Sequence, residues 1–169
     1  MKNKPQMVDG FWWILHVEND AVDISSVEKY AQSNDFRPKD EKHVTIIGSK
    51  CRDAIVEKMD ELGDEGKQKL LNSIETLMKK YDWKFEPKEY FHIKKEHEGA
   101  EKEAIICTIS MPCLQPFYND INTLLNADLP IQFPHISLFT KGPINKDGYY
   151  GIPMPSEEEF NKSNPVKCN

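Results

Sequence analysis

Histidine is the side chain whose proton changes hands near neutral pH, and two of the five in this 169-residue chain stand in the same setting. His43-Val44-Thr45 and His135-Ile136-Ser137 each place an imidazole two residues before a hydroxyl, inside an apolar run. His16, His92 and His97 are followed at that spacing by Glu18, Lys94 and Gly99, so the pattern selects two histidines only. Alternate side chains of a β-strand share a face. The sequence therefore predicts His43, Thr45 and Ile47 on one face with Val44 and Ile46 behind, and His135, Ser137 and Phe139 on one face with Ile136 and Leu138 behind. An imidazole beside a hydroxyl on an anchored strand can transfer a proton next to a bound oxyanion.

The elements that deliver these motifs repeat. Phe11 to Val17 reads as a strand, Asp23 to Ser33 as a helix, and the chain then reaches His43. Ala104 to Ile109 again reads as a strand, Gln115 to Asn126 as a helix, and the chain reaches His135. Strand start to histidine spans 32 residues the first time and 31 the second. Two β-α-β units of matched length predict an α+β fold of two pseudo-symmetric lobes, with the histidines facing one another across a central cleft. Between them, Asp60 to Tyr81 carries Leu70, Leu71, Ile74, Leu77, Met78 and Tyr81 at helical spacing. Glu89 to Lys94 alternates as a strand does, and His97 to Glu101 reads as a solvated turn. Residues 1–155 read as one bilobal domain and residues 156–169 as a polar, flexible tail.

Composition narrows the ligand. The net charge is −6, and only Arg37 and Arg52 among 22 basic residues are arginines, which excludes a long track for duplex nucleic acid. Lysine supplies charge without the bidentate fork that grips phosphate, so a small nucleotide, cyclic oligonucleotide or short RNA held locally is the expected partner, bound by a monomer. There is no apolar run of membrane-spanning length, and Cys51, Cys107, Cys113 and Cys168 lack metal-site spacing or a dense disulfide framework, which points to a reducing cytoplasm. A metal held by His43, His135 and a cysteine has no local ligand pair to support it, and no G-x-S-x-G elbow occurs. Acidic clusters such as Glu157-Glu158-Glu159 read as solvated faces, and Trp12, Trp13 and Trp83 as core. His16 reads as a packed histidine. Beyond the second motif, Tyr149 and Tyr150 sit between Gly148 and Gly151, where an aromatic pair is suited to stacking on a base. Lys141 and Lys50 follow their motif strands and are candidate phosphate contacts.

The paired strings His43-Val-Thr-Ile46 and His135-Ile-Ser-Leu138, one per half of a duplicated chain, resemble the signature of the two-histidine (2H) phosphoesterase superfamily. That superfamily includes LigT-like, 2′-5′ RNA ligase-like proteins and cyclic phosphodiesterases. The likeness runs from Phe11 to about Ile152, with serine at position 137 where threonine is commoner. It implies a LigT-like fold and metal-free, cofactor-free hydrolysis of a cyclic phosphate or phosphodiester. His43 and His135 would then be general acid and base, with Thr45 and Ser137 donating to the phosphate. RNA ends with a 2′,3′-cyclic phosphate, 2′-5′-linked oligoadenylates, ADP-ribose cyclic phosphate and cyclic oligonucleotides all fit this chemistry. A non-catalytic RNA- or nucleotide-binding module on the same fold is the alternative.

Overall fold

The computed structural model describes residues 4–146, 148 and 150–168. It is an α+β structure with eight strands in one mostly antiparallel sheet and five α-helices among those residues. The strands are β1 (Gln6–Val8), β2 (Trp12–Val17), β3 (Arg37–Pro38), β4 (Lys42–Ile47), β5 (Glu86–His97), β6 (Ala100–Ser110), β7 (His135–Lys141) and β8 (Val166–Lys167). The helices are α1 (Ser25–Ser33), α2 (Ser49–Asp60), α3 (Asp64–Lys80), α4 (Leu114–Leu125) and α5 (Glu157–Lys162). The sheet runs β1-β2-β4-β7-β6-β5-β8, and β3 also pairs with β7.

One face of this sheet carries α1 to α4. Their apolar stripes, including Val27 and Ala31, Ile55 and Met59, Leu70 and Ile74, and Phe117 and Ile121, bury with Leu15, Val44, Ile46, Ile105 and Ile136 in one large cluster. The charged stretch read as a helix from Asp60 begins at Asp64, because α2 ends at Asp60 and Gly63 adopts an extended conformation as the cap of α3. Asp64 and Glu65 open α3 and Lys79 and Lys80 close it, which complements the helix dipole. The second face holds a smaller cluster, in which Ile93, Ala104 and Ile106 meet Ile152 and Met154 from the C-terminal segment.

Residues 156–169 correct the expectation of a flexible tail as far as Cys168. Ser156 caps α5 by accepting from the Glu159 amide, so the acidic run forms the first turn of a helix, where the dipole favours it. Beyond it, the Lys94 amide donates to the Ser163 carbonyl at 2.9 Å and β8 pairs with β5. Edge pairing uses main-chain groups, so polar side chains do not betray it.

A second correction concerns parity. β2 passes from Trp13 opposite Ile47 to Ile14 opposite Thr45, leaving Ile46 as an extra residue in β4. β6 likewise passes from Ile105 opposite Phe139 to Ile106 opposite Ser137, leaving Leu138 as an extra residue in β7. Each bulge falls three residues after a motif histidine and breaks the two-residue alternation there. Ile47 and Phe139 consequently join the large helix-side core and do not share a face with the motif hydroxyls.

Candidate functional site

β4 and β7 adjoin at the middle of the sheet, antiparallel, with Val44 opposite Ile136. Both residues are fully buried against the helices and anchor the two strands. Continuing that register by one residue in each direction sets His43 opposite Ser137 and Thr45 opposite His135. Directly opposed side chains on such a pair have Cβ atoms about 5 Å apart and diagonal ones about 7–8 Å. Two imidazoles thus occupy one diagonal of a four-cornered patch, and two hydroxyls the other. Among the described residues, no hydrogen bond engages the hydroxyl of Thr45 or of Ser137.

The two imidazoles differ in their support. His135 is buried and its Nδ1 lies 2.8 Å from the Phe133 carbonyl. A carbonyl only accepts, so Nδ1 carries the hydrogen and Nε2 is left for other partners. Phe133 also stacks on this ring at 5.9 Å and in turn on Phe160 of α5 at 4.3 Å, so the C-terminal helix buttresses the second histidine. Burial lowers the pKa of His135, opposed by the Phe133 carbonyl and reinforced by the charge of Lys39. The Nδ1 of His43 is buried without a hydrogen-bond partner among the described residues. Burial first, then the charges of Lys39, His135 and His16, bring its pKa down to about 4.

Several neighbours were not expected here. His16 lies directly opposite His43 across β2 and β4, is half exposed, and has Nδ1 3.1 Å from a Glu41 carboxylate oxygen; it is not a packed histidine. Lys39 donates from its amide to the Leu138 carbonyl at 2.9 Å and from Nζ to the Tyr150 carbonyl at 3.2 Å. Loss of solvent lowers the pKa of Lys39, opposed by the charge of Glu41. In sequence it sits inside the charged run Arg37 to Lys42, which reads only as a loop; no spacing signal marks it. Phe133 and Phe160 likewise have no sequence signal beyond their apolarity.

The candidate substrate contacts separate. Tyr150 remains beside the patch, its carbonyl held by Lys39 and one ring face covered by the Arg37 guanidinium at 4.3 Å. Lys141 is not brought to the patch: its Nζ donates to the Asn34 carbonyl at 3.0 Å, at the end of α1 on the helix side. The bulge at Leu138 accounts for this, because it moves the residues after it out of step with His135 and Ser137. Lys50 is exposed in the first turn of α2, where its charge is felt by Glu158 and Glu159 of α5. Tyr149 lies outside the described residues.

A recess lies away from the patch. A groove of about 560 Å³ runs between α3 and α4, past Ser73, Lys80 and Asp120, on the far side of the sheet. Lys80 and Tyr81 both bond the Asp120 carboxylate there, which satisfies those groups and leaves no reactive one free. Among the described residues no three His, Cys, Asp or Glu side chains converge as metal ligands, and all four cysteines are free thiols. No helix is long and apolar enough to cross a membrane. Comparison of the chain with protein-family models, with curated proteins and with solved structures finds no match.

Proposed function

We propose that this chain is a metal-independent phosphodiesterase of the two-histidine type, opening a cyclic phosphate or a nucleotide phosphodiester. The observation that carries the reading is the crossed arrangement of His43 and His135 with Thr45 and Ser137 on adjoining antiparallel strands. Hydrolysis needs a base for the water proton, an acid for the departing ribose oxygen and donors for the non-bridging oxygens. Those are the four groups at the four corners. The bulges at Ile46 and Leu138, at the same step after each histidine, support reading the two β-α-β units as a duplication around a pseudo-twofold axis.

The different settings of the imidazoles support a division of labour. A carbonyl on Nδ1 stabilises the protonated ring, so His135 is the acid and donates from Nε2 to the leaving oxygen. His43 has no such acceptor and three cationic or titratable neighbours, so it stays neutral and accepts the proton of water. The water oxygen forms a bond to phosphorus as the P–O ester bond breaks, leaving a phosphomonoester and a free ribose hydroxyl. Thr45 and Ser137 donate to the non-bridging oxygens throughout.

A second reading is a nucleotide-binding module that performs no chemistry. Burial holds the pKa of both rings below the usual histidine value, which favours neutral rings and so supports binding without proton transfer. One experiment separates the two. The protein is incubated in EDTA with a 2′,3′-cyclic mononucleotide, 2′-5′ oligoadenylate, ADP-ribose 1″,2″-cyclic phosphate and cyclic di- and trinucleotides, and the products are identified by mass spectrometry. Hydrolysis of one compound, lowered about a hundredfold or more in His43→Ala and in His135→Ala, is expected. Binding without conversion across the panel selects the module, and full activity of either variant on the hydrolysed compound refutes the mechanism.

A further inference from the structure

Both β3 and β4 pair with β7, but in different registers. Arg37 and Pro38 oppose Thr140 and Phe139, whereas Val44 opposes Ile136. Between Pro38 and Val44 the chain advances six residues while β7 advances three, so three residues are looped out beside the second motif. Lys39 continues the β3 ladder through its amide bond to Leu138, and the excess falls between Lys39 and His43. The loop-out turns Asp40 and Glu41 to solvent, with Glu41 drawn to His16. It leaves the ammonium of Lys39 on the Tyr150 carbonyl at 3.2 Å, and its charge lowers the pKa of both imidazoles.

That ammonium has only one protein partner among the described residues, the neutral carbonyl of Tyr150. No carboxylate pairs with it, although acidic residues outnumber basic ones 28 to 22 in the chain. The exposed Glu41 carboxylate acts on it only through its charge, without a direct contact, and a partly desolvated cation without a contacting counter-ion gains more from an anion than an exposed lysine does. The two hydroxyls at the corners bring no charge of their own, and the imidazoles are neutral before a ligand arrives. The nearby Arg37 guanidinium is engaged by the Tyr150 ring and the Gly142 carbonyl, whereas the Lys39 charge acts on both imidazoles. Lys58, Lys69, Lys94 and Lys162, by contrast, each meet a carboxylate within 3.2 Å.

We infer that Lys39 is a substrate-contacting residue of this site, its ammonium binding a non-bridging oxygen of the phosphate that lies between His43 and His135. This rests on the proposed phosphodiester reading for the identity of the anion. With the anion bound, the ammonium charge is neutralised locally and the penalty it places on protonating His135 falls. Phosphate binding therefore prepares the acid. The groups facing His43 are Lys39 from the loop-out, His135 from β7 and His16 from β2, with Glu41 beyond His16. Of these only Lys39 is a permanent cation.

Inorganic phosphate is the probe, titrated into the full-length protein while the ring signals of His43 and His135 are followed by NMR. Wild type, Lys39→Met and Lys39→Arg are compared, methionine keeping the apolar stem without the charge. Phosphate is expected to shift both ring signals in wild type, to bind at least about tenfold more weakly in Lys39→Met, and to recover in Lys39→Arg. The His43 pKa in the free protein is expected to rise in Lys39→Met. Phosphate binding unchanged in Lys39→Met, with folding intact by the same spectra, overturns the inference while leaving the hydrolase reading standing. Lys39-dependent phosphate binding in a protein that converts none of the phosphodiesters above upholds the inference and removes the hydrolase. Absence of phosphate shifts at either ring in wild type overturns it outright.

Discussion

The depressed pKa of His43 has a measurable cost in acid. The unfolded chain holds an ordinary histidine with a pKa of 6.5, while the folded chain holds the same ring at about 4. Above pH 6.5 both states are neutral and the group is silent. As pH falls below that value, the unfolded ring takes up a proton that the folded one refuses, so stability drops until the folded ring titrates near pH 4. At about 1.4 kcal/mol per tenfold, this single ring removes about 0.8 kcal/mol by pH 6 and about 2 kcal/mol by pH 5. Replacing His43 by glutamine removes the titration and keeps a polar side chain. Urea unfolding of both proteins at pH 7.5 and pH 5.0 gives the comparison. Whatever the variant costs at pH 7.5, its loss of stability between the two pH values is expected to be smaller than that of wild type by about 2 kcal/mol. Carboxylates and histidines remote from His43 titrate alike in both proteins and cancel. If wild type and His43→Gln lose the same stability over this interval, His43 is not held neutral, and the account of its burial and of the Lys39 charge beside it is wrong.

Adjacent positions on β7 are expected to separate stability from chemistry. Ile136→Ala empties a fully buried site at the centre of the large core and is expected to cost about 2–5 kcal/mol, read as a lower Tm with turnover of the folded fraction retained. On the proposed hydrolysis, Ser137→Ala would remove one donor to the phosphate and is expected to lower turnover about tenfold to a hundredfold with Tm nearly unchanged; the inverse pattern refutes the strand parity. Gly142 follows β7 with φ at 118°, and an added Cβ would sit 3.0 Å from the Glu101 carbonyl oxygen. Gly142→Ala is therefore expected to destabilise by about 1–3 kcal/mol in urea unfolding, and unchanged stability would show that the turn relaxes freely.

The motif strands, α1 and α4 were legible because their signals are local. Trp12–Val17 and Ala104–Ile109 are rich in β-branched and aromatic residues, and the two histidine motifs alternate cleanly up to Thr45 and Ser137. What the sequence concealed is carried by pairing. The bulges at Ile46 and Leu138 depend on the neighbouring strands β2 and β6, so plain alternation puts Ile47 and Phe139 on the wrong face, and Lys141 leaves the patch for the Asn34 carbonyl. Helix α2 has Cys51, Ile55 and Met59 buried at a spacing of four, but charged residues dilute the stripe. Lys39 was invisible for the same reason as the tail helix: its position is fixed by a register difference along β7 that no window of sequence contains. The stacking of Phe160 on Phe133 brings together residues 27 apart in number through packing alone.

The narrowness of the seam between β4 and β7 bears on how the two halves of the patch move. β5 and β6 are laced together along nearly their whole lengths, while β4 and β7 meet in register at Val44 and Ile136. Shear along a sheet is resisted by its ladder, so compliance concentrates where the ladder is shortest. One histidine rides on each side of this line. A shift of β4 against β7 by a fraction of a residue would change the span between the imidazoles, and is opposed by the shared packing of Val44 and Ile136 in the helix-side core. On the proposed hydrolysis, this line lies between the two groups that would exchange protons with a phosphorus centre as it passes from four to five oxygen neighbours.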